Sequence, residues 1–125
     1  MLNFCTLFDS NYLSRGLAMY KSLIRYCPTA NLYIICLDDK LYNYLDQENY
    51  PNIIPFSLKE VEASFDELQI AKQNRTYVEY IFTLSPIIAL FIFKRFPHLK
   101  MVTTLDADIY FFSDPSVLFH DSDSF

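Results

Sequence analysis

The sequence predicts an α/β domain, with a mainly parallel sheet flanked by helices. Two observations carry that prediction. Short apolar runs alternate with longer segments of helical periodicity, the pattern of strand–helix–strand units. Each run is also stopped by turn or capping residues, which is how a strand hands over to a helix. The size agrees: 125 residues with a 52% hydrophobic share suffice for one domain with a real core.

The elements follow in order. Leu2 to Phe8 (LNFCTLF) reads as a buried strand, stopped by Asp9-Ser10-Asn11. Leu13, Leu17, Tyr20 and Ile24 then recur at helical spacing, with Ser14, Arg15, Lys21 and Arg25 mostly off that stripe, and Cys27-Pro28 ends the helix. Asn31 to Leu37 is a second strand. Asp38 caps a helix to about Glu48, closed by Asn49 to Pro51. Asn52 to Phe56 is a short third strand. Ser57 with Glu60 has capping-box spacing for a brief helix, and a further helical turn or two is expected between Phe65 and Lys72. Thr76 with Glu79 repeats the capping-box spacing and opens a helix through Leu84. Pro86 is expected to begin a new helix to Phe96, apolar nearly all round and therefore interior. Met101 to Leu105 reads as the fourth strand and Ile109 to Phe112 as the fifth.

The stretch from Thr103 to Pro115, TTLDADIYFFSDP, carries the chemistry. Asp106 and Asp108 share one face of an extended chain, about 6.6 Å apart along it. Carboxylates at the end of an apolar strand are costly unless something pairs with them, and two hard oxygen donors there suit one divalent cation. Ala107 leaves room for a bulky ligand. A plain turn is the alternative, since Asp favours turns. In parallel sheets ligands bind at the carboxyl ends of the strands, where both Phe8-Asp9 and Asp106-Asp108 fall. That placement favours a functional pair.

Composition excludes several classes. The formal charge of −5 argues against nucleic acid, which selects basic faces. The single glycine, Gly16, rules out a glycine-rich phosphate loop, so a bound nucleotide must be held by metal and side chains. Close packing of helix on sheet accounts for Gly16. Met1-Leu2-Asn3-Phe4 lacks a basic region and Asp9 interrupts early, so no secretory signal is expected there, and the apolar run Ile81 to Phe93 is too short to span a bilayer. Cys5, Cys27 and Cys36 have no metal-type spacing and read as free buried thiols in a reducing compartment, so a cytoplasmic location is expected.

With these elements in place, VTTLDADIYFFSDPSVLF resembles the strand, D-x-D motif, second strand and turn of GT-A glycosyltransferases of the family 8 kind. RTYVEYIFTLSP is similar to the segment those enzymes place before the motif, and FCTLFDSNYLSRGLAMYKSL resembles their first strand, nucleotide loop and helix. The resemblance implies a Rossmann-like, donor-binding half of a nucleotide-diphospho-sugar transferase, one incomplete nucleotide-sugar-binding domain over residues 1–125. It implies a hexosyltransferase-type enzyme with a nucleotide-sugar donor, UDP-linked by family habit, and an unknown acceptor. Asp106 and Asp108 would hold Mn²⁺ or Mg²⁺ against the diphosphate, with Ala107 beside the donor. Phe8 and Asp9 would meet the base and Tyr12 would stack on it. Lys72 and Arg75 are the candidates to neutralise phosphate. Arg15 reads as a solvated helix charge, and Glu79 complements the helix dipole.

The sequence departs from that family in one respect. The third metal ligand, usually a histidine, and the acceptor-binding half lie well downstream in such enzymes. Here His98 and His120 read as surface or packing residues. The chain as given is therefore expected to transfer little sugar, and an unfinished sheet edge is expected to favour self-association. Two rivals stand beside this reading. One is an inactive nucleotide-sugar-binding fragment. The other is a haloacid-dehalogenase-type phosphatase, whose D-x-D usually ends the first strand with Thr or Val two places on. Here three strand–helix units come first, and Tyr110 holds that place.

Overall fold

A computed structural model describes residues 2–106 of the chain. Its order is β1 (Asn3–Phe8), a 3-10 turn (Ser10–Tyr12), α1 (Leu13–Tyr26), β2 (Asn31–Cys36), α2 (Asp39–Glu48), β3 (Ile53–Ser57), α3 (Leu58–Ser64), α4 (Glu67–Asn74), α5 (Tyr77–Arg95) and β4 (Thr103–Thr104). The strands form one all-parallel sheet in the order β3-β2-β1-β4. The expected α/β class is the observed one. The expected fifth strand, Ile109 to Phe112, lies outside the described residues.

Strand alternation sorts the core into two layers, because successive side chains leave a strand on opposite faces. Phe4, Phe8, Leu32, Ile34 and Cys36 face Met19, Tyr20 and Leu23 of α1 and Leu41 and Leu45 of α2. Cys5, Tyr33, Ile35 and Phe56 face Val61 of α3, Leu68 of α4 and Leu84, Ile88, Phe91 and Ile92 of α5. The sheet is thus covered on both sides, and its strands read as nearly continuous apolar runs.

The order of the strands matters more than their number. From β1 the chain steps outward to β2 and β3 with α1 and α2 on one face. It then returns under the other face through α3, α4 and α5 and adds β4 on the far side of β1. The direction of winding therefore reverses between β1 and β4. In open α/β sheets a crevice for ligands forms at the carboxyl ends of the strands at such a reversal.

Three expectations change. Ser57 makes no side-chain capping bond, so the expected box with Glu60 is not formed; Ser57 stays in the ladder opposite Cys36 as the last residue of β3. Pro86 does not start a helix but sits inside one that runs unbroken from Tyr77 to Arg95. Proline lacks the N–H that would bond the Phe82 carbonyl, yet Phe82 and Pro86 are both exposed, so water can serve that oxygen. The inward residues Leu84, Ile88, Phe91 and Ile92 meanwhile hold the helix on the sheet. Nor is α5 interior all round: Val78, Phe82 and Leu90 are 62%, 74% and 57% exposed. Among the described residues α5 is one helix long and apolar enough, by length and composition alone, to cross a membrane, and here it lies against the sheet.

Candidate functional site

The loop after β1 is built by its own polar residues. Asp9 caps the 3-10 turn, its Oδ1 accepting the Asn11 N–H at 2.9 Å, and the Tyr12 N–H donates to the Asp9 carbonyl at 3.0 Å. The β1–β2 ladder continues one step beyond β2, with the Leu37 N–H donating to the Phe8 carbonyl at 3.0 Å. Asp38 caps α2 by accepting the Leu41 N–H at 2.9 Å. Its other oxygen accepts the Ser10 N–H at 3.1 Å and the Ser10 hydroxyl at 2.8 Å. Partial burial alone would raise the Asp38 pKa. The donors from Leu41 and Ser10 and the charge of Lys40 outweigh it and hold the carboxyl below its ordinary range.

A cavity of about 240 Å³ opens at this edge of the sheet. It is lined by Leu7 and Phe8 at the end of β1, Asp9 and Tyr12 in the loop after it, Leu37 after β2, and Tyr77 and Ile81 from the first turns of α5. Tyr12 is 46% exposed, with the Arg15 guanidinium 5.4 Å from its ring centroid, a cation–π contact along one helix entry. The Tyr77 hydroxyl donates to Asp9 Oδ2 at 3.5 Å, the long limit of a hydrogen bond. Burial, then the Asp9 carboxylate, raises the Tyr77 pKa, so the phenol stays protonated and able to donate.

Asp106 lies across the reversal from that cavity. Beyond the two paired residues of β4, the Leu105 N–H donates to the Cys5 carbonyl at 2.8 Å, and the Thr6 hydroxyl donates to the Leu105 carbonyl at 2.7 Å. The backbone is thus held against β1 up to the residue before Asp106. The Asp106 side chain is exposed at the carboxyl end of the sheet. Ala107 and Asp108 lie outside the described residues, so the expected carboxylate pair is described for its first member only. Among the described residues no three His, Cys, Asp or Glu side chains group to hold a cation. An exposed, hard oxygen donor beside the reversal is nevertheless the donor type that Mn²⁺ or Mg²⁺ takes.

The structure therefore brings Phe8, Asp9 and Tyr12 to one cavity, with Asp106 at the same edge. Lys72 and Arg75 do not line it. The Lys72 ammonium sits 3.2 Å from Glu62 Oε2, a buried carboxylate oxygen that also accepts the Tyr80 hydroxyl at 2.6 Å. Lys72 instead borders a neighbouring depression of about 300 Å³ with Asp38, Lys59 and Glu62. Arg75 is the exposed cap residue after α4, where its charge helps to lower the Glu79 pKa, behind the hydrogen bonds from Thr76. Sequence reasoning missed Tyr77 and Asp38 as site residues. Tyr77 follows a capping Thr76 and carries no signal beyond that position. Asp38 was legible as a cap, but its second oxygen reaches Ser10, 28 residues away.

The three cysteines are buried, as expected. Burial, with the charge of Asp38 adding to it, pushes the Cys36 thiol up to about 12, so the sulfur stays protonated.

No family model matches the chain. It is 31% identical over 117 residues to the uncharacterized protein YfnD of Bacillus subtilis (strain 168), covering 94% of this chain and 37% of that protein. It is 29% identical over 118 residues to the uncharacterized protein YfnF of the same organism, covering 93% and 38%. The chain thus spans well under half the length of these relatives. Among solved structures it is similar to mouse xyloside xylosyltransferase 1 in its apo form, with TM-score 0.64 and 17% identity, over 99% of this chain and 48% of that one. The parallel sheet and its two helical layers share the Rossmann-like fold of that glycosyltransferase.

Proposed function

We propose that this chain is the donor-binding portion of a metal-dependent glycosyltransferase of family 8 type, and that its ligand is a nucleotide-sugar, with UDP the first candidate. The observation that carries the reading is the shared edge. An aromatic cavity after β1 and an acidic strand end after β4 flank the same reversal of winding. The likeness in fold to a xylosyltransferase supports it. Within the reading, Tyr12 stacks on the base, Phe8 and Asp9 border it, and Asp106 with Asp108 holds Mn²⁺ or Mg²⁺ on the diphosphate, with Ala107 between them. The ion would stabilise charge developing on the leaving nucleoside diphosphate. Transfer to an acceptor is an activity proposed for the whole protein.

Lys72 is a weaker candidate for phosphate than it looked from sequence, because binding phosphate would take it from a buried carboxylate, and leaving such a charge unpaired is costly. Arg75 remains the freer cation of the two.

Calorimetry of UDP with Mn²⁺ and in EDTA tests the proposal. Binding is expected to need the metal. Asp108→Asn and Asp106→Asn should each weaken metal-dependent binding while leaving the melting temperature nearly unchanged. Equal affinity in EDTA would remove the metal from the reading, and lowered stability with unchanged metal affinity would return the acidic pair to a turn.

A further inference from the structure

We propose that Asp38 is a positioning residue for the nucleotide site. Acting through Ser10, it fixes the loop that presents Asp9 and Tyr12 to the cavity. The two oxygens of its carboxylate have separate tasks. Oδ1 takes the Leu41 N–H and caps α2, work that any capping side chain could do. Oδ2 takes both the N–H and the hydroxyl of Ser10, a residue of another loop. Asp9 Oδ1 to the Asn11 N–H and the Tyr12 N–H to the Asp9 carbonyl lie within the loop and fold the turn without placing it. The Tyr77 hydroxyl of α5 also reaches Asp9 Oδ2, but at 3.5 Å it is the weakest of these bonds, and the shorter pair from Ser10 to Asp38 does most to place the turn. Ladder pairing holds the chain only as far as Phe8. Beyond that point, Ser10 is where the adjoining strand–helix unit grips the turn.

The consequence follows from chain geometry. Asp9 precedes Ser10 and Tyr12 follows it by two, so movement of Ser10 carries both. A flat ring stacked in a cavity of about 240 Å³ tolerates little such movement. An ionised carboxylate accepting two donors from one residue makes stronger and shorter bonds than a neutral group would. The ligand in this inference rests on the nucleotide reading above, while the placement of the loop rests on the hydrogen bonds alone.

Asp38→Asn separates the two tasks when its amide oxygen keeps the α2 cap, for which asparagine serves as well as aspartate, because the NH2 then faces Ser10 and cannot accept its N–H. Ser10→Ala removes the hydroxyl bond and leaves the α2 cap intact. Backbone hydrogen exchange across residues 9–13 is measured for parent and both variants, beside calorimetry of UDP with Mn²⁺ and a thermal melt. Asp38→Asn should speed exchange at Ser10, Asn11 and Tyr12 and weaken UDP binding about tenfold, the effect of losing roughly one charge-assisted hydrogen bond. Ser10→Ala should show a smaller change in the same direction, with no change in exchange across α2. Unchanged loop exchange in both variants would overturn the inference, and so would a loosened loop that binds UDP as tightly as the parent. A parent that binds no UDP would sink the nucleotide reading instead, and the exchange data would then decide the loop's placement by themselves.

Discussion

At Gly16 a local preference and a tertiary contact oppose each other. Inside an exposed helix, alanine would be favoured over glycine by about 1 kcal/mol. Gly16 is buried against the Phe8 ring, however, and two ring carbons lie 2.8 Å from where a Cβ would sit. Phe8 is itself 4% exposed and has little room to move. Gly16→Ala is therefore expected to destabilise by about 1–3 kcal/mol, the usual range for overpacking, read as a lower denaturation midpoint. Phe8→Leu in the same chain should recover part of that loss. An alanine variant as stable as the parent would show that helix propensity outweighs the contact. Tyr12 can be judged at the same scale. If its ring stacks on a base, Tyr12→Ala should cost about 1–3 kcal/mol of nucleotide affinity, and Tyr12→Phe little. Calorimetry with UDP separates the outcomes, since an alanine variant that binds as the parent does leaves Tyr12 with its Arg15 contact and no more.

Capping-box spacings at Ser57–Glu60 and Thr76–Glu79 mark two helix starts, and only the second becomes a box. At α5 the Glu79 N–H donates to Thr76 Oγ1 at 3.3 Å, while the Thr76 N–H donates to Glu79 Oε1 at 3.0 Å. At α3 the hydroxyl of Ser57 makes no such bond, because that residue is still the end of a strand. Thr76→Ala should thus destabilise by about 0.5–2 kcal/mol, and Ser57→Ala by clearly less. Equilibrium denaturation of the two variants checks the order, and equal losses would mean the bonds at α5 carry no stability. The same comparison shows what was legible at this scale. Spacing located both helix starts to within a residue, but it could not tell a serine that caps from a serine that pairs. Similarly, the chemistry of Pro86 reads as the start of a new helix, and the packing of Leu84 on one side and Ile88 on the other kept one helix whole.

For the whole molecule, acid is an informative probe. Asp38 holds the β1 loop to α2, and its carboxyl is lowered in the folded state. A group lowered on folding contributes stability that is fully present above its unfolded pKa, about 3.9 for Asp. That contribution is lost as pH falls below this value and through the lower folded pKa. The Asp38 contribution should accordingly be flat in pH above the carboxylate range and fall on acidification below it. Asp38→Asn should flatten that fall, as followed by thermal melts across acid buffers. An unchanged acid limb would show that Asp38 is not the carboxylate responsible. At this scale the sequence by itself determined the alternation of strands and helices, the two-faced apolar pattern of each strand, and the acidic end of β4. These are local properties of period, composition and capping, written in stretches of fewer than twenty residues. The tertiary structure alone decided that β4 lies beside β1 and not beyond β3, because strand order depends on which sheet edge the α3–α5 crossover reaches. It also decided that Tyr77 meets Asp9 across 68 residues, that Asp38 grips Ser10, and that Lys72 is spent on Glu62. Contacts of that kind leave no periodic trace in a sequence, since they arise only when the sheet brings the ends of distant elements to one edge.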